Sequence, residues 1–338
     1  MNLSELKKAL NGVSIVQITP FNDDGSLDLE GMRFNTRWLL ERTVGKDYVY
    51  APLGSNGECY ALSQEEWEAV VRMVVEEVGG RNKVIVGTGQ PGTQETVKRC
   101  RFAQSAGADG ALVVLPYYFV PQEEGMYLHY KTICESVDQD FGIVLYNNPG
   151  VSGSWVRPPL MAKLAQIPNF AAVKENTSSV VSFRLMQRAL ENTGTQVVCG
   201  RGEEIFQFVA PFGCTGLVSF MSNFMPEISY SVYLAAVAGK YDEVERLCQK
   251  PSPFFKDPEV LRTMPAGSSF TARMTAQHGP ATGVSGGGGS MQAAELKAAM
   301  DMLGLRGGVV RLPLVGITKQ EKEELRTILR GMGLDPSY

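Results

Sequence analysis

Eight short apolar, β-branched runs recur along the first 220 residues, each followed by a longer segment with helical spacing. The runs are SIVQIT (14 to 19), DYVYAP (47 to 52), KVIVGT (83 to 88), GALVVL (110 to 115), GIVLYN (142 to 147), AAVKE (171 to 175), QVVCG (196 to 200) and GLVSF (216 to 220). Runs this apolar are strands covered on both faces, and alternation with helices is the rhythm of βα units around a parallel sheet. Eight such units within about 240 residues match the usual size of a closed (β/α)8 barrel of about 250 residues. A doubly wound open sheet is disfavoured, because TPFNDDGSLD follows the first strand where a dinucleotide fold would carry its glycine fingerprint.

Two intervening segments show how the helices are delimited. In SQEEWEAVVRMVVEEVGG, Ser63 and Glu66 form a capping box and Gly79 and Gly80 stop the helix. TQETVKRCRFAQSAGA is expected to open at a threonine cap, Thr93, and to close near a glycine. The strand rhythm ends after the eighth run, and residues 226 to 249 and 291 to 332 read as helices. The expected organisation is therefore a barrel over 1–225 and a helical C-terminal extension over 226–338. Within the extension, residues 263 to 290 are rich in Gly, Ser, Thr and Ala, with four glycines at 286 to 289, and read as a long mobile loop.

Composition narrows the function classes. With 44% hydrophobic residues the 338-residue chain can build a full core, while 32 Lys+Arg against 36 Asp+Glu leave a net charge of -4. That balance offers no field for gathering nucleic acid or anionic membrane, so a small-molecule partner is expected. The N-terminus lacks the apolar run of a secretory signal and no stretch of roughly 18 apolar residues occurs, which reads as a cytoplasmic protein. Six scattered cysteines without a CxxC pair read as free thiols, and two histidines, His129 and His278, are too few for a His-based triad or metal centre. Neither a metal nor another cofactor is expected.

In a barrel the reacting groups gather where strands end. The sixth run ends in Val-Lys174-Glu-Asn-Thr, placing an amine near the barrel mouth, where partial desolvation favours the uncharged form a nucleophile needs. A lone strand-end lysine would more simply be a salt-bridge partner. Lys174 is not alone: the second run leads into GSNGE, the fourth into PYY and the fifth into YNNPG, bringing a hydroxyl, phenols and exposed amides to the same rim.

GSNGE at 54 to 58, PYY at 116 to 118, YNNPG at 146 to 150 and VKENTS at 173 to 178 stand in the order, spacing and strand positions of the dihydrodipicolinate synthase / N-acetylneuraminate lyase family, which the chain resembles from about residue 12 to its end. The resemblance implies a metal-independent class I lyase that forms a Schiff base with pyruvate or a related 2-oxo acid. It puts the imine-forming lysine at Lys174, the proton-shuttling tyrosine at Tyr146 and the carboxylate-gripping loop at Ser55, Asn56 and Gly57. The family's second tyrosine, supplied across a tight dimer interface, falls on Tyr118, and Val218 on the eighth run joins the substrate-binding residues. A homotetramer built as a dimer of dimers is the implied assembly.

Two departures bear on substrate. Members that condense pyruvate with aspartate semialdehyde carry an arginine just after YNxPG, where this chain has Val151, and a second threonine where it has Asn56. An aliphatic side chain cannot give a carboxylate the paired hydrogen bonds of a guanidinium. GSNGE is closer to members that cleave 4-hydroxy-2-oxoglutarate and similar acids, so an aldolase reading is set ahead of dihydrodipicolinate synthase proper. A sugar-acid dehydratase using the same imine and a non-catalytic barrel are the remaining alternatives. Arg201, just past the seventh run, is expected either to bind a distal carboxylate of the second substrate or to pair with Glu203 or Glu204. Glu175 belongs on the face opposite Lys174 and reads as structural, as do Trp38, Trp67 and His129.

Overall fold

A computed structural model of the protein describes residues 2–177, 179–250 and 289–337. Eight parallel strands close a barrel in chain order: β1 (Val13–Val16), β2 (Tyr48–Ala51), β3 (Lys83–Gly87), β4 (Gly110–Val114), β5 (Gly142–Asn147), β6 (Phe170–Glu175), β7 (Gln196–Cys199) and β8 (Leu217–Ser219), with β8 paired back to β1. Each falls on one of the eight apolar runs, trimmed mostly at the C-terminal end, where the chain leaves the sheet to form the rim.

Helix α1 (Leu3–Ala9) precedes the barrel, and its sequence, read above only for polarity, is capped by the Asn2 side chain. Its Leu6, with Leu10 just beyond, is buried against the strands' inward residues and plugs the N-terminal end. Gly110 and Gly142 make room for that plug, since a Cβ at either would fall within 3.0 Å of the Leu6 side chain. The ring outside the barrel comprises α2 (Leu29–Thr43), α3 (Gln64–Val78), α4 (Thr93–Ser105), α5 (Glu123–Glu135), the one-turn α6 (Pro149–Ser152) with α7 (Pro158–Leu164), α8 (Val180–Leu190), α9 (Gly202–Val209) and α10 (Pro226–Val237). Because α10 packs on β8, β1 and α2, it closes this ring rather than standing apart from it.

Alternation along each strand sorts the core into two layers. Val13, Ile15, Tyr48, Tyr50, Val84, Val86, Leu145 and Val173 face the helices, whereas Val16, Val49, Ala51, Ile85, Leu112, Val144, Val198 and Val218 fill the barrel. A register shift between β5 and β6 at Ile143/Val144 adds one residue to β6, so that Ala171 and Ala172 both join the interior layer.

The capping box at Ser63 and Glu66 is present and Gly79 ends α3 in a left-handed conformation. Helix α4, however, is capped by Gly92 without a side-chain bond; Thr93 is its first helical residue, and its hydroxyl instead meets His129 Nδ1 at 2.9 Å. The segment 226 to 249 breaks at Ala238 to Lys240 into α10 and α11 (Tyr241–Cys248), where Gly239 takes φ +68°. The second stretch is not one helix either: α12 (Gly289–Met302) and α13 (Lys319–Gly331) are separated by an irregular segment that contains Gly304, Gly308 and Pro313. Nearly all of the loop expected at 263–290 lies outside the described residues. All six cysteines are free. Among the described residues no helix is long and apolar enough to cross a membrane and no cluster of ligating side chains is suited to a metal ion.

Candidate active site

Lys174 and Tyr146 are direct neighbours across the β5–β6 ladder, Tyr146 pairing with Lys174 in the parallel register. Equal parity turns both side chains into the barrel, and the Lys174 ammonium nitrogen lies 3.8 Å from the centre of the Tyr146 ring. The amine is 5% exposed and caps a narrow interior cavity walled by Val16, Ala51, Ile85, Leu112, Val144, Val198 and Val218. Among the described residues Lys174 has no ion-pair or hydrogen-bond partner, so the salt bridge considered for it does not form. Ser14 is the other polar residue of that cavity, and its buried hydroxyl also lacks a partner there.

Glycine makes the next wall. A Cβ at Gly200, where β7 ends, would lie 1.9 Å from Asn176 Oδ1 and 2.9 Å from Lys174 Cγ. Asn176 and Gly200 are thus packed directly against the lysine, and the Asn176 oxygen is buried without a hydrogen-bond partner among the described residues. Neither was singled out from the sequence, although both follow strand ends that were.

Among the described residues the Tyr146 hydroxyl has one partner, the Asn148 side-chain nitrogen at 2.8 Å. Asn148 caps α6, its carbonyl oxygen accepting from Gly150 N at 3.1 Å, and that contact fixes which end of the amide faces the phenol. On the outer face of β6, Glu175 is fully buried as alternation requires. It accepts from Asn147 Nδ2 (2.8 Å), Trp155 Nε1 (3.1 Å) and the Thr177 amide (2.9 Å). Burial pushes its carboxyl up to about 7, against the pull of those three donors.

The GSNGE segment forms a tight turn at the end of β2. Gly57 N and Glu58 N are spent on Gly54 O and Ser55 O, both at 3.0 Å, while the amides and side chains of Ser55 and Asn56 make no hydrogen bond among the described residues. Gly57 therefore contributes space rather than a donor: a Cβ there would lie 2.8 Å from Gln17 O.

Val218 lines the same cavity as Lys174. Tyr118, in contrast, is 78% exposed beside Phe119 at 79%, turned to solvent and not into the pocket of its own chain. Arg201 precedes α9 as its N-cap and pairs with Glu204 at 3.5 Å, the plainer of its two expected roles. Glu203 is not its partner; it is buried and accepts from Ser219 and Ser229, each at 2.7 Å. Val151 sits in α6 with 40% exposure, at the rim where the family's arginine would stand.

Comparison with known proteins bears on this constellation. The chain is 32% identical over 321 residues to a 4-hydroxy-tetrahydrodipicolinate synthase of Methanothrix thermoacetophila, covering 95% of this chain and 96% of that one. It is also 32% identical over 317 residues to the enzyme of the same name from Gluconacetobacter diazotrophicus, covering 94% and 95%. Among solved structures, dihydrodipicolinate synthase from Aquifex aeolicus superposes with a TM-score of 0.79 at 28% identity, covering 96% and 98%. A structure described as the first monomeric dihydrodipicolinate synthase variant gives 0.78 at 29%, covering 96% and 97%. Residues 9–266 match the profile of the dihydrodipicolinate synthetase family. With a closed barrel, an inward lysine on its sixth strand and likeness running nearly end to end, this chain belongs to that family and is a lyase of the class I aldolase type.

Proposed function

We propose that Lys174 forms a Schiff base with pyruvate and that the resulting enamine adds to an aldehyde. The observation that carries this reading is a buried amine without a counter-charge among the described residues, set over a phenol at the open end of the barrel. The uncharged Lys174 nitrogen attacks the keto carbon. The carbinolamine then loses water to give a protonated imine, whose nitrogen accepts electrons when the methyl carbon gives up a proton. Tyr146 is suited to carry protons for these steps, because its phenol ring lies against the reacting nitrogen, 3.8 Å from ring centre to nitrogen. The free amides of Ser55 and Asn56 in a tight turn suit the substrate carboxylate.

For the second substrate, the names of the relatives support condensation with aspartate semialdehyde, the 4-hydroxy-tetrahydrodipicolinate synthase reaction, over the aldolase reading put first from the sequence. Cleavage of a 4-hydroxy-2-oxo acid stays as a second reading on one observation: Val151 and Asn56 stand where synthases have arginine and threonine. The exposed run Tyr117 to Val120 is an apolar patch that a second copy would cover, which supports a dimer or a dimer of dimers with Tyr118 reaching the partner's site.

Borohydride reduction in the presence of pyruvate, followed by mass analysis of the peptide containing Lys174, tests the imine. A pyruvate-sized adduct on Lys174 is expected, and its absence with every 2-oxo acid tried would overturn the reading. Turnover of pyruvate with aspartate semialdehyde against cleavage of 4-hydroxy-2-oxoglutarate then decides between the two reactions.

A further inference from the structure

Behind the carboxylate-gripping turn lies an ion pair that the chemistry above does not use. Glu58 and Lys297 are 0% and 1% exposed and face each other as a salt bridge, although they come from the β2–α3 connection and from α12. Both ends have further anchors. Glu58 Oε2 accepts from the Arg311 amide at 3.0 Å, and Lys297 Nζ donates to Val309 O at 2.6 Å while lying 4.2 Å from the Phe21 ring centre. The Arg311 guanidinium in turn bonds Glu66, Gly25 O and Ala61 O. Three distant parts of the chain thus meet immediately behind residues 54–58.

Removing two charges from water is costly, and a buried pair is often no more stabilising than an apolar pair of the same volume. What such a pair supplies is direction, and here the backbone needs it. The turn is bounded by Leu53 at φ 63° and Glu58 at φ 51°, two non-glycine residues in the left-handed region. Such residues persist only where their surroundings over-determine them. The Leu53 side chain is fixed in the core, and Glu58 is fixed by Lys297.

We infer that the Glu58–Lys297 pair is a positioning device by which the C-terminal helix α12 holds the 54–58 turn strained, so that the Ser55 and Asn56 amides point at the carboxylate of a bound 2-oxo acid. Glu58 is fully buried and acts through the turn, not on substrate. The inference rests on the Schiff-base reading.

Its test compares two ketones, pyruvate and hydroxyacetone, the second lacking a carboxylate, by the concentration that half-saturates reductive trapping at Lys174 in the full chain. In Lys297→Met the half-saturating pyruvate concentration should rise tenfold or more, with that of hydroxyacetone changed less than twofold. If the single variant does not fold, Glu58→Met/Lys297→Met keeps the volume without either charge and should show the same split. A pyruvate value within twofold of the unaltered chain, or equal losses for both ketones, would overturn the positioning role. No adduct in the unaltered chain with either ketone overturns the Schiff-base reading and this one together, whereas an adduct there with unshifted variants overturns this one alone.

Discussion

Asn148 donates its side-chain amide to the phenolic oxygen of Tyr146 at 2.8 Å, two residues along the chain from it. The contact occupies one acceptor position of the phenol and leaves its own proton uncommitted among the described residues, while the Lys174 nitrogen lies over the ring face. No other hydrogen bond to the Tyr146 hydroxyl is made among the described residues, so Asn148 is placed to orient it. A neutral hydrogen bond contributes about 1 kcal/mol. Asn148→Val is therefore expected to lower kcat five- to tenfold while leaving KM for pyruvate within twofold. Because Asn148 works through Tyr146, the loss should vanish in a Tyr146→Phe background; steady-state kinetics on all four variants would show this, and additive losses would contradict it.

Gly200 should tolerate no larger residue. The 1.9 Å and 2.9 Å approaches to Asn176 and Lys174 mean that an added Cβ must displace the Lys174 side chain or its neighbour. Overpacking of this kind costs about 1–3 kcal/mol. Gly200→Ala is expected to slow pyruvate trapping at Lys174 at least tenfold, and shortening the neighbour in Gly200→Ala/Asn176→Ala to recover part of the rate. Equal trapping rates in Gly200→Ala and the parent would show that the lysine does not depend on this wall.

These two contacts mark the limit of what the chain's order discloses. The barrel was legible because eight apolar runs carry strand length and βα spacing; Lys174 drew attention by standing at the end of such a run, and Tyr146 through the YNNPG motif of the family resemblance. Asn148 and Gly200 stood inside the same quoted segments, but nothing in a one-dimensional pattern says that an amide turns back to a phenol or that two strand ends nearly touch. The Glu58–Lys297 pair spans most of the chain, and no spacing rule reaches that far. Helix breaks at Gly239 and at 303–318 were missed because helical periodicity continues across them, whereas the glycines that stop it act through backbone conformation.

Glu175 should titrate near neutrality. Its folded-state pKa of about 7 stands above the ordinary 4.5, so the stability it contributes is fully present below about pH 4.5 and is lost as pH rises through about 7. That difference corresponds to about 3 kcal/mol. Trp155 donates to the same carboxyl, so its emission should shift with a midpoint near pH 7. Glu175→Gln should flatten both the emission titration and the fall in stability between pH 4.5 and 7, measured by denaturant unfolding at each pH. A midpoint unchanged in the variant would assign the titration to another group.

Arg201 separates the two roles considered for it through the second substrate. Its contact with Glu204 is a single approach at 3.5 Å between side chains that are both partly exposed. Pairs of that kind contribute about 0.2–1 kcal/mol, so the guanidinium is free to exchange Glu204 for a substrate carboxylate at little cost. Val151 supplies no charge at the rim, and Arg201 follows β7, the strand beside Lys174, at the same end of the barrel. Arg201→Ala is expected to leave thermal stability within 2 °C and KM for pyruvate within twofold, and to raise KM for aspartate semialdehyde or a dicarboxylic 2-oxo acid tenfold or more. Equal changes in KM for pyruvate and for the second substrate would leave Arg201 with only its helix-end pair to Glu204.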